Sequence, residues 1–150
     1  MKLPNVALAY RESEALGASP VGVIVLLYDR LVRDIHRALA AMKVDQVEER
    51  SAQVNHALLI LQQLQGRLDF VAGGATACQL DAFYSRTRAK LLEAQIRQSP
   101  ELMREQAEAL LQVRECWAEV ERSMAAPSAP ISPGAPGAAP SETPGVNLGA

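Results

Sequence analysis

The sequence predicts an all-α domain built as an antiparallel four-helix bundle, and three observations carry that prediction. No proline occurs between Val21 and Ser99, and that stretch is rich in Leu, Ala, Gln, Glu and Arg, which all favour helix. Ser19 followed by Pro20, and Ser99 followed by Pro100, each offer a side-chain oxygen as N-cap and a proline for the first helical position. Apolar residues recur in steps of three and four through four blocks, and no alternating run bounded by turn residues suggests a strand. A chain of 150 residues is long enough for one core and too short for two.

The elements follow in order. Residues 1–18 form an N-terminal arm or short helix carrying Leu3, Val6, Tyr10 and Leu16. The first long helix spans about residues 20–43, with Ile24, Tyr28, Leu31, Ile35, Ala38 and Met42 as its core seam. Asp45 and Glu48 read as a capping box that opens a second helix over about 45–71, with Val54, Leu58, Leu61 and Leu68 facing inward. Gly73 and Gly74 break the chain, and the third helix covers about 75–98 through Ala77, Leu80, Tyr84, Thr87, Leu91 and Ala94. The fourth covers about 100–125 through Leu110, Val113, Trp117, Val120 and Met124. Connections this short force neighbouring helices to run antiparallel. Residues 127–150 hold six of the nine prolines, four of the nine glycines, no Lys or Arg and one acid, Glu142. Such a segment buries too little apolar surface to offset its ordering entropy, so it reads as a disordered tail behind a bundle domain of residues 19–126.

Composition then removes whole classes of function. Fifteen basic residues against seventeen acidic ones leave a formal charge of −2, without the basic footprint of a nucleic-acid binder. Cys78 and Cys116 lie too far apart in sequence for a paired zinc site, and two cysteines do not make a disulfide scaffold. The apolar run from Val21 to Tyr28 falls well short of a membrane span, and the first five residues lack a signal-peptide core. A reduced, cytoplasmic domain is expected. Neither His36 nor His56 has a Glu three residues before it, as a ferritin-like metal site requires. His36 is placed as in a histidine phosphotransfer bundle, but Arg37, Ala38 and Leu39 follow where that family has a Lys and a Gly. The sequence therefore predicts no catalytic residue, metal or cofactor.

Binding surfaces are more visible. Beside its core seam the third helix carries Cys78, Ala82, Ser85, Ala89, Leu92 and Ile96, a second stripe lying roughly 120° around from the first. Mostly small side chains make it a shallow trough for another helix. It serves either a second bundle neighbour or a partner. Leu59 and Phe70, read as members of the second helix opposite its core seam, have no bundle neighbour to meet and join the candidate surface. Leu26 and Leu111 are similar strays. The first helix is net basic and the fourth net acidic, an asymmetry that pairs the two helices, orients a partner or simply faces solvent.

An ordered set of residues resembles the FliS family of flagellin export chaperones. It begins with Ala9 and Tyr10, then Ala18, Ser19 and Pro20 opening a helix, then Leu26, Leu27, Tyr28 and Asp29. It continues through Leu64, Leu68 and Asp69, the two glycines, Leu80 with Tyr84, and Leu91 with Ala94, and ends at Val113, Arg114, Glu115, Cys116 and Trp117. The resemblance covers about residues 5–122. It implies a helical bundle that binds the C-terminal region of flagellin in the cytoplasm, prevents premature polymerisation and assists delivery to the export gate of the flagellar type III apparatus. Bound flagellin would be extended and partly helical, wrapped in apolar grooves, and the region around Tyr10 would cover part of that surface until displaced. Val6, Tyr10, Leu59, Phe70 and the second stripe of the third helix are thus the candidate groove. Two positions depart from the family pattern: Phe83, Tyr84, Ser85 and Arg86 stand where many members repeat a Leu-Tyr-Asp-like motif, and Gly22 replaces an acid in the first turn. The competing reading is a helical dimerisation or adaptor module.

Overall fold

The structure, a computed structural model, describes residues 19–125. Among them are four helices and no strand: α1 (Pro20–Lys43), α2 (Val47–Gly66), α3 (Phe70–Arg97) and α4 (Pro100–Ala125). The predicted arm, with Val6 and Tyr10, and the predicted tail lie outside the described residues. α1 and α3 each pack against both α2 and α4, so they stand at opposite corners of an antiparallel bundle.

Local chemistry sets the helix ends. Gly22 N–H donates to Ser19 Oγ at 3.0 Å, and Leu102 N–H donates to Ser99 Oγ at 3.1 Å. Both serine caps thus stand where the sequence predicts them. The capping box does not form. Asp45 adopts a left-handed φ of 59°, and Gln46 N–H reaches back to Ala41 C=O at 2.9 Å while Asp45 N–H bonds Met42 C=O at 3.2 Å. That is a Schellman closure: Asp45, which tolerates left-handed backbone better than most residues, ends α1 instead of starting α2. Gln98, at φ 52°, closes α3 in the same way through Ser99 N–H to Ala94 C=O at 2.9 Å.

The second boundary also differs from expectation. α2 stops at Gly66, and Asp69 caps α3 by accepting from Val71 N–H and Ala72 N–H at 3.0 and 2.9 Å. Phe70 is therefore the first residue of α3 and does not share a face of α2 with Leu59. Gly73 and Gly74 break the helix as the sequence predicts, and Asp69 caps one further turn, residues 70–73, ahead of the break. Gly74 lies within α3 at φ 52°, ψ −128° and kinks it.

The core follows the predicted seams through the middle of the bundle. Tyr28, Leu31, Ile35, Val54, Leu61, Tyr84, Leu91 and Leu110 are all closed to solvent, each large apolar side chain contributing roughly 1.5–3 kcal/mol by burial. On α4 the seam opens early, and Val120 and Met124 are exposed. A polar pair also lies inside: His56 Nδ1 and Asp34 Oδ2 bond between α2 and α1, both buried. The charge asymmetry of α1 and α4 does not pair them as net signs suggest. The link is the reverse, an arginine of acidic α4 gripping an acid of basic α1: Arg114 Nε and Nη2 donate to the two oxygens of Asp29 at 2.8 and 3.3 Å. The acid missing at Gly22 has a substitute as well. A Cβ on Gly22 would stand 2.6 Å from a carboxylate oxygen of Glu121, so the glycine lets α4 bring a negative charge against the positive end of α1.

Candidate functional site

α3 is the helix with open flanks. Toward α4, its N-terminal half and the C-terminal half of α4 leave two adjoining hollows of about 300 and 480 Å³. Ile24, Leu64, Leu68, Ala72, Ala77 and Tyr84 line the smaller one, Phe83, Val113, Cys116 and Val120 line the larger, and Thr76, Leu80 and Trp117 are common to both. Together they form a mostly apolar channel whose two parts share Trp117, with the charged Arg67 and Asp69 in the wall of the smaller part. It exists because α3 opposes α4 here with small residues (Ala72, Gly73, Thr76 and Ala77), leaving the indole uncovered on one side.

The floor of the smaller hollow carries a polar feature. Tyr28 and Tyr84 bond hydroxyl to hydroxyl at 2.7 Å across the core, their rings tilted and 6.2 Å apart. Burial raises both phenols above the ordinary tyrosine range, and for Tyr28 the neighbouring Tyr84 adds to the shift. Both therefore stay neutral at physiological pH and tie α1 to α3 without placing charge under the channel.

Toward α2 the flank is shallower. All six members of the predicted second stripe, Cys78, Ala82, Ser85, Ala89, Leu92 and Ile96, are exposed, with Ile96 80% open. No bundle neighbour takes this stripe. Gln65 of α2 bridges it at one level, its Nε2 donating to Asp81 Oδ1 at 3.0 Å and Ser85 Oγ at 3.2 Å, so Ser85 is already engaged. Of the other candidates, Leu59 is exposed on α2 and lines neither hollow, and Phe70 is exposed at the head of α3.

Sequence reasoning missed the channel because Leu80, Val113, Trp117 and Val120 occupy core-seam positions by periodicity. Spacing records which way a side chain points, not whether the opposing helix is large enough to cover it. The available signal was the run of small residues from Ala72 to Cys78 facing the only tryptophan.

His36 is exposed on α1 in a shallow depression with Asp29, Arg33 and Arg37. Among the described residues no group of three or more His, Cys, Asp or Glu is placed to hold a metal, and no helix is long and apolar enough to cross a membrane.

Comparison with known proteins adds the family. A family model described as flagellar protein FliS matches residues 4–124. The flagellar secretion chaperone FliSB of Pseudomonas aeruginosa is 30% identical over 106 residues, 71% of this chain and 84% of that protein. The flagellar secretion chaperone FliS of Campylobacter jejuni is 28% identical over 115 residues, 77% of this chain and 90% of that protein.

Proposed function

The chain belongs to the FliS family of flagellar secretion chaperones, and from that premise we propose that it binds the C-terminal segment of flagellin in the grooves flanking α3. In this reading it works in the cytoplasm, keeps flagellin from polymerising and presents it to the export gate. The observation that carries the reading is the open apolar channel over Trp117, continued on the other side of α3 by an exposed stripe of small and aliphatic residues. An extended segment with helical turns fits such a surface: larger apolar side chains enter the channel, and a helix lies close along Ala82 and Ala89. Ile24, near the start of α1, lines the smaller hollow, and in this reading Val6 and Tyr10 of the preceding segment compete for the same apolar surface.

Titration calorimetry with full-length flagellin, and with flagellin lacking its last ~40 residues, tests this directly. That length is what wraps a bundle of this size at 1.5–3.3 Å per residue. Binding should be lost with the segment. Equal affinity for both forms would place recognition elsewhere on flagellin, and no binding to either would favour an adaptor or dimerisation role.

A further inference from the structure

The head of α3 is built as a separate unit. Asp69 Oδ1 accepts from Val71 N–H and Ala72 N–H, and Gly73 N–H donates to Asp69 C=O at 2.7 Å. Residues 70–73 therefore have a capped turn of their own ahead of the rest of the helix. Gly74 joins this turn to the rest of α3 with φ 52° and ψ −128°, a backbone state open to glycine and strained for other residues. A Cβ placed there would meet nothing within 4 Å, whereas one on Gly73 would stand 2.9 Å from the Ala77 Cβ, so the turn packs closely on the helix at Gly73 and leaves Gly74 itself open.

The turn borders the channel. Ala72 and Gly73 form part of the wall of the smaller hollow, which Trp117 also lines. Phe70 and Val71, by contrast, stand in solvent, 50% and 96% exposed. Single exposed apolar residues are ordinary, but here two adjacent large ones, lining neither hollow themselves, directly precede Ala72 and Gly73 in the wall of the smaller hollow.

We propose that residues 70–73, hinged at Gly74, form a clamp that closes Phe70 and Val71 over an apolar segment of the client seated against Trp117. This rests on the reading that the client is the C-terminal segment of flagellin. A clamp that closes after docking slows release and leaves docking itself unchanged, so its signature is in the dissociation rate.

Trp117 is the single tryptophan of the chain and reports on the channel. Stopped-flow fluorescence with a peptide of the last ~40 residues of flagellin is to be run on the wild-type chain, on Val71→Ser and on Phe70→Ser/Val71→Ser. The altered side chains are exposed, so melting temperatures should stay at the wild-type value, and Val71→Ser keeps the test valid if the double variant is less stable. The double variant should release peptide at least tenfold faster with an unchanged association rate, and the single variant should fall between. Wild-type binding with wild-type release in both variants would overturn the clamp and leave the flagellin reading standing. Failure of the wild-type chain to bind would overturn the flagellin reading and the clamp with it.

Discussion

α1 and α3 are long amphipathic helices at opposite corners of one bundle, yet they are used differently. α1 buries twelve of its 24 residues, and α3 buries five of its 28. The cause lies in what flanks each core seam. α1 sets Val23, Val25, Leu27, Val32 and Leu39 beside its seam, and all are buried. α3 sets mostly small residues such as Ala82, Ser85 and Ala89 beside its own, and these leave that flank open, with Leu92 and Ile96 exposed farther along. A helix can thus satisfy the bundle with one narrow stripe and keep the rest of its surface for something else. α1 supplies more of the buried core, and α3 leaves more of its surface open.

The largest expected difference is in stability. Leu31→Ala on α1 empties a fully buried site and should cost about 2–5 kcal/mol. Leu92→Ala on the open flank of α3 should fall within about 0.5 kcal/mol of wild type. Urea melts of the two variants measure the contrast, and equal losses would mean that the stripe is covered in solution and the comparison fails.

A second variant sharpens the contrast by separating binding from folding. Ala89→Glu adds a charge on the exposed flank, where solvent hydrates it in the free protein and a docked partner must strip that water away. It should fold and melt as wild type while flagellin affinity falls at least tenfold, about 1.4 kcal/mol. Undiminished binding would confine the client to the α4 side of α3.

The asymmetry shows how far this sequence can be read. Fold class, helix number and both serine caps follow from short-range chemistry, because a cap needs only its own first turn. The same logic misleads at Asp45, where a capping-box pattern and a left-handed helix stop use the same residue, and the Schellman hydrogen bonds to Ala41 and Met42 decide between them. At Gly73 and Gly74 it holds: the two glycines mark the break at which Gly74 leaves helical geometry, and what short-range reading lacks is the capped turn that Asp69 starts just before it. The α2-side stripe of α3 is legible as a regular run of small residues outside the core seam, and its members are exposed as a docking surface requires. The channel over Trp117 and the Asp34–His56 bond are not legible, since each depends on how two helices meet and periodicity describes one helix at a time.

The claim that α3 serves as the surface while α1 serves as the support is tested most directly by hydrogen exchange with and without flagellin. Mass spectrometry of peptides from each helix gives both answers in one experiment. The account predicts that bound flagellin slows exchange along α3, most strongly around Gly74, and along the part of α4 around Trp117, with the amides of α1 unchanged. Slowed exchange in α1 with α3 at its free rate would contradict it.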